Sequence, residues 1–270
     1  MRIEKVYNRG IKKINEDEYL IKNNLFAVFD GASSLVKFED KHGKTGGKIA
    51  SNTAKKIFIK NNLPLKQLAI EANNNIMGKM IKYKIDISDT RNYWTTCLAG
   101  IRIKKDKIEC VQIGDSAILI IYKNGKYKLP LGYHDHDRET MIKWKELADN
   151  KCKNIFKKLK SQIDKVRRQT NITYGALNGD KRAIKFIKTK TISNKNIKSI
   201  VLFTDGLLVP NENPKNIGKF DKFIEIINKE GIKSLLKYVR KIEKDDPNCW
   251  KYPRFKQHDD ATAIMISFGD

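Results

Sequence analysis

No stretch of this 270-residue chain is apolar for long enough to cross a membrane as a helix. A spanning helix needs roughly 18 such residues, whereas the longest run, Ala117 to Tyr122, is the size of a strand. The charges of the first residues have no apolar segment behind them, so no secretory leader is expected. Cysteine is scarce, and Cys97, Cys110, Cys152 and Cys249 lie far apart with no Cys-x-x-Cys pair. That excludes a zinc ribbon or a disulfide framework and points to reduced thiols in a cytoplasm. Proline and glycine do not cluster into linkers, and no repeat or low-complexity segment interrupts the chain. One domain over residues 1–270 is therefore expected.

Acids are in the minority. Asp and Glu number 31 against 55 Lys and Arg, a formal charge of +24. Such a charge invites a nucleic-acid reading. However, only ten of the 55 basic residues are arginine, and the lysines are spread along the whole chain without a basic tail. The expectation is a solvated basic surface with no stable nucleic-acid binding. Long-range attraction to phosphorylated or acidic partners follows from the same field.

Periodicity supplies the elements. Glu18 to Asp30 holds two apolar runs around Lys22-Asn23-Asn24, a hairpin pattern. Helices are predicted over 46–60 and 64–83, the second with proline in its first turn. Residues 93–131 alternate with period two through four strand candidates and predict an antiparallel meander. One long helix is predicted over 138–168, with Met141, Trp144, Ala148, Cys152, Ile155, Leu159 and Ile163 on one face. A strand over 182–192, a strand ending at Asp205, two helices separated by Gly231 and a last strand from Ala261 complete the pattern. The class is α+β.

Within this frame the few acids are oddly placed. Asp30, Asp205 and Asp259-Asp260 border apolar strands, Asp115 occupies a tight turn between strands, and Glu16-Asp17 open the first hairpin. Any one Asp-Gly pair reads as a turn. A set of strand-end carboxylates does not. Brought together they would repel and raise one another's pKa, and the usual remedy is a cation. Oxygen ligands without clustered His or Cys point to magnesium or manganese. Glycine after the acid lets the backbone turn sharply and exposes a carbonyl.

The motifs Asn15-Glu16-Asp17, Val28 to Gly31, Gly46 to Ser51, Ile113 to Ser116, Phe203 to Gly206 and Asp259 to Thr262 occur in one order over nearly the whole chain. In this the sequence resembles the metal-dependent Ser/Thr protein phosphatases of the type 2C (PPM) family. Each motif is short, and the ordered set is the specific signal. The resemblance implies a four-layer α-β-β-α sandwich of two antiparallel sheets between helices. It implies hydrolysis of phosphoserine and phosphothreonine in proteins by a water that two Mn2+ or Mg2+ ions activate. Asp30 would bridge the ions and the Gly31 carbonyl would bind one of them. Asp205 and Asp259 would hold the first ion, and Glu16 would help hold the second, directly or through water, with Asp17 in support. Asp115 would join Asp205 at a third, weaker site, and Asp260 would act as an orienting group. Phosphorylated proteins are the implied partners, and a monomer is expected.

Two positions depart from the family pattern. Ala32 stands where many members have a histidine that protonates the leaving group. Lys12 stands where a phosphate-binding arginine is usual, with Arg9 and Lys13 as substitutes; lysine lacks the bidentate fork. His134 and His136 are candidates for the missing acid, against the plainer reading of a solvated loop. The segment 131–178 is the expected elaboration and the place to look for substrate selectivity. The alternatives are a same-fold phosphatase of a small metabolite and a non-catalytic phospho-reader.

Overall fold

A computed structural model describes residues 1–216 and 218–269. Ten strands form two five-stranded antiparallel sheets. The first sheet has the order β1 (Arg2–Asn8), β10 (Ala261–Ser267), β9 (Ile197–Phe203), β6 (Ala117–Tyr122), β7 (Tyr127–Lys128). The second has the order β2 (Glu18–Lys22), β3 (Leu25–Ala32), β4 (Thr95–Ile103), β5 (Lys107–Ile113), β8 (Lys188–Ser193). Helices α1 (Gly46–Phe58) and α2 (Leu65–Lys82) cover the second sheet, and α6 (Asp221–Glu230) and α7 (Ile232–Asp245) cover the first. This is the four-layer α-β-β-α sandwich.

Strand alternation decides which face each side chain meets. In β3, Leu25, Ala27 and Phe29 pack towards α1 and α2, while Phe26 and Val28 enter the core between the sheets. Asp30 has the parity of Phe26 and Val28, so it follows them at the rim between the sheets. In β9, Ile200 and Leu202 face the same inner core, and Thr204 continues their row. In β10, Ile264 and Ile266 do so, with Thr262 and Asp260 completing the row towards the same rim. Each buried Ile, Leu or Phe contributes about 1.5–3 kcal/mol, which is the source of the rigidity behind the rim.

Three expectations change, and one strand is added. The meander over 93–131 is broken at Gly114-Asp115, because β5 pairs with β4 and β8 in one sheet while β6 pairs with β9 and β7 in the other. The helix over 138–168 is three pieces, α3 (Arg138–Asp149), α4 (Ile155–Lys158) and α5 (Lys160–Arg168). Lys151 and Asn154 take left-handed φ angles of 54° and 57° and break it. The apolar face survives the break, since Trp144, Ala148, Ile155, Leu159 and Ile163 still share one cluster, closed by Cys249. The strand expected over 182–192 begins as a 3-10 turn over Lys181–Phe186, before β8. Strand β1 went unread because only Val6 of its seven residues is buried.

Candidate active site

The register of the first sheet brings acids from three segments to one level. Phe203 pairs with Ala117 on one side and with Ala263 on the other. Two residues further out lie Asp205, Asp115 and Ala261, with Asp259 just before. In the second sheet Cys97 of β4 pairs with Asp30, while Leu98 pairs with Ile113. Asp30 and the Gly114-Asp115 turn therefore flank Cys97. The crossing from β5 to β6 is what places Asp115 between the sheets.

Electrostatics register this convergence. Burial, then Asp17, Asp205, Asp115 and Asp259, push the Asp30 carboxyl well above its ordinary value. Burial, Asp259 and Asp115 do the same to Asp205. Asp17 is pushed to about 7 by burial, with Asp260 and Asp259 adding to it and the neighbouring Thr262 and Thr204 hydroxyls opposing it. The Thr204 hydroxyl donates to Asp17 Oδ2 at 2.8 Å, and its oxygen accepts from the Thr262 amide at 3.0 Å. Asp115 Oδ1 is buried with no hydrogen-bond partner. The Cys97 thiol is driven well up by burial, Asp115 and Asp30.

The sequence-predicted residues divide into groups. Asp30, Asp205, Asp115 and Asp259 converge, with Asp17 beneath them. Glu16 is 1% exposed and engaged elsewhere: Lys12 pairs with it, and the Ser33 and Thr45 hydroxyls donate to it. Thr45 also caps α1, accepting from the Lys48 amide at 3.3 Å. Lys12 is thus the cation of Glu16. Arg9 and Lys13 are exposed, with Arg9 donating to the Lys13 carbonyl at 2.8 Å. Asp260 accepts from the Gly10 and Glu16 amides, both at 2.7 Å, and so clamps the loop before β2.

The glycines after the acids serve close packing. Gly31 lies inside β3, and a side chain there would overlap the carbonyls of Glu16 and Gly47. A side chain on Gly206 would overlap the Asp260 carbonyl. Neither has a positive φ, so approach of chain segments, rather than a sharp turn, requires glycine at both positions.

Several residues here carry no sequence signal. The Lys256 ammonium lies 2.6 Å from Asp259 Oδ1. Burial works against its charge, but Asp259, Asp205 and Asp30 outweigh it and raise its pKa. Arg240 donates to the Asp259 carbonyl at 2.5 Å and to Glu243 at 2.7 Å. Glu243 also meets His258 Nδ1 at 2.8 Å. Asp246 takes the amides of Trp250, Lys251 and Tyr252 at 2.9–3.2 Å and the Arg254 guanidinium at 2.8 Å. This network fixes the loop that delivers Lys256 and Asp259. Its members lie on α7 and the loop behind it, where sequence alone reads only charged helix surface.

A cavity of about 150 Å³ opens beside the acids, lined by Asp115, Asp205, Asp259, Lys256, His134 and His136 among others. His136 stacks on Tyr174 at 4.1 Å between ring centres. Its Nδ1 lies 3.9 Å from Asp115 Oδ2 and its Nε2 3.4 Å from Asp137 Oδ2. Both histidines therefore belong to the cavity wall, not to a free loop.

The donor set fits hard divalent ions. It is all oxygen, one buried oxygen is unpartnered, and the carboxylates repel. Among the described residues, no three His, Cys, Asp or Glu side chains are grouped tightly enough to ligate one ion by themselves. Magnesium-type ions keep several waters, and carboxylates can act through them.

An oxygen-ligand centre on the rim between two antiparallel sheets, in a four-layer sandwich, defines a class of metal-dependent hydrolase. The family model described as protein phosphatase 2C matches residues 12–240, and the chain belongs to that family. Its reaction is the family's metal-dependent hydrolysis of phosphoserine and phosphothreonine in proteins, with Mn2+ or Mg2+. The structure resembles the catalytic domain of the serine/threonine protein phosphatase PstP in complex with two manganese ions (TM-score 0.63, 15% identity, 100% of this chain and 98% of that one). It also resembles the PstP/Ppp phosphatase of Mycobacterium tuberculosis (TM-score 0.62, 14% identity, 100% and 99%). A third likeness is to a serine/threonine phosphatase from Staphylococcus aureus (TM-score 0.59, 15% identity, 99% and 95%). The search of curated proteins found no match.

Proposed function

We propose that Asp30, Asp205 and Asp259 hold the metal ions of this phosphatase, with Asp115 at a weaker site and the Gly31 carbonyl as a further donor. The observation that carries this assignment is the convergence of these carboxylates, with Asp115 Oδ1 buried and unpartnered. Bound ions would supply an acidified water and neutralise charge on the phosphoryl oxygens. The remaining work falls to the chain. Thr204 orients Asp17, and Arg240 holds the Asp259 backbone. Lys256 presents an ammonium to the cavity where a phosphoryl group would sit. His136, held flat against Tyr174, is the imidazole placed to donate a proton to the serine or threonine oxygen as it leaves, in place of the histidine absent at Ala32. Glu16, with Lys12, Ser33 and Thr45, braces the loop around Asp30 and acts on an ion only through water.

The whole chain is proposed to act as one monomeric unit on phosphorylated proteins, with 131–178 as its elaboration. Its four free cysteines support a cytoplasmic setting. No helix among the described residues is long and apolar enough to cross a membrane. The test is hydrolysis of p-nitrophenyl phosphate by the purified protein with manganese, then with excess chelator. Turnover that manganese supports and the chelator removes is expected. A folded protein inactive with every divalent ion would leave the non-catalytic phospho-reader. Hydrolysis of phosphopeptides no better than of the aryl ester would favour a small phosphorylated metabolite.

A further inference from the structure

Arginine is scarce in this chain and lysine abundant, yet one groove reverses the ratio. Arg91, Arg167, Arg168 and Arg182, four of the ten arginines, line it together with Ser34 and Tyr93, and no lysine does. Two of the four are neutralised locally. Arg91 pairs with Asp89 at 2.7 Å and Arg182 with Asp180 at 2.6 Å. The other two keep their charge. Arg167 donates to the Ser33 carbonyl at 2.8 Å, and the Arg168 side chain, though near enough to Asp89 to help hold that carboxyl's pKa down, makes no side-chain hydrogen bond or ion pair with a described residue. Arg168 also borders a second, wider hollow, whose wall carries Lys157, Lys158, Lys160 and Lys165, with Asp164 as its acid.

The groove is bordered by the loop that leads out of β3, the strand carrying Asp30. Residues 33–36 follow directly on the strand that ends in Asp30-Gly31-Ala32. The Ser33 side chain reaches Glu16, while its carbonyl takes Arg167. The Leu35 amide donates to the Arg91 carbonyl at 3.0 Å. A peptide with its phosphorylated residue at Asp30 would lay its next residues over this loop and into the groove. Guanidinium groups recognise carboxylate and phosphate through paired N–H donors, which ammonium groups cannot match.

We propose that this arginine groove is a subsite for a second anionic side chain of the substrate, a carboxylate or phosphate a few residues from the phosphate being removed. The inference rests on the phosphatase assignment above. The enzyme would thus prefer acidic or multiply phosphorylated segments, with selection supplied by α5 and the Arg91 loop and not by the metal centre.

The experiment compares phosphothreonine peptides of one length. One series carries aspartate or phosphoserine two to four residues from the phosphothreonine on either side, and the other carries alanine there. The wild-type protein is expected to favour the anionic series by about tenfold in kcat/KM, expressed in KM rather than kcat and weakened by added salt. Arg168→Glu should abolish or reverse that ratio, and Arg168→Ala should reduce it; the position is exposed, so folding is not at issue. Equal kcat/KM for the two series in the wild-type protein, or a preference that survives Arg168→Glu, would overturn the subsite while leaving the phosphatase intact. Failure to hydrolyse p-nitrophenyl phosphate and every peptide with manganese would overturn the phosphatase assignment, and the subsite with it.

Discussion

A carboxylate placed among other carboxylates destabilises the fold until a cation joins it, and this makes Asp30 and Asp205 legible in two ways. Asp30→Asn or Asp205→Asn should lower manganese-dependent turnover by about a thousandfold or more. The same change should raise the melting temperature of the metal-free protein by a few degrees, about the effect of 1 kcal/mol in a chain of this size. A variant that keeps its turnover would refute the ligand assignment. The pH dependence follows with a definite sign. Asp17, Asp30 and Asp205 have raised pKa values, so the folded chain holds protons that the unfolded chain has released. Without metal, stability should therefore fall as pH rises from the ordinary value of 3.8 to about 7, the value for Asp17. Urea denaturation at pH 5 and pH 7.5 in chelator measures this, and manganese should abolish the slope. At the same scale, His136→Asn should slow hydrolysis of phosphothreonine peptides far more than of p-nitrophenyl phosphate, whose leaving group needs no proton. Equal losses on both would remove His136 as the proton donor.

At the scale of elements, the loop between α7 and β10 is built to deliver Lys256 and Asp259. Burial disfavours the Asp246 charge, but the amides of Tyr252, Lys251 and Trp250 and the Arg254 guanidinium outweigh it and hold its pKa below the ordinary value. Its contribution is present above the unfolded-state pKa of about 3.8 and lost as pH falls through the lower folded value, opposite in sign to the rim acids. Asp246→Asn should cost about 1–3 kcal/mol by leaving charged and amide donors poorly matched. It should weaken manganese binding, read by calorimetry, although residue 246 touches no proposed ligand. Unchanged manganese affinity would show that the loop holds its shape without this clamp. Strands and helices with strong periodicity, such as β3, α1 and β9, were legible in the sequence. The break of 138–168 into three helices was not, because its apolar face continues across the break and only the left-handed Lys151 and Asn154 reveal it.

Over the whole molecule, the charge of +24 sets a field, and the acidic rim is a local exception to it. Such a field speeds the arrival of phosphorylated partners and fades with ionic strength. Manganese at a hundred times its dissociation constant should stabilise the fold by about 2.7 kcal/mol, seen as a melting shift that chelator reverses. The sequence by itself determined the placement of the acids beside apolar strands, the two-residue alternation along those strands, and the absence of a histidine at Ala32. These depend on covalent order and on a period of two, which neighbours in the chain settle among themselves. Only the tertiary structure decided that β5 and β6 part company at Asp115 and that Glu16 is taken by Lys12, Ser33 and Thr45. It alone set Lys256 against Asp259 and gathered four scattered arginines into one groove. Those outcomes join residues tens to hundreds of positions apart, and the packing of two sheets, not any local pattern, brings them into contact.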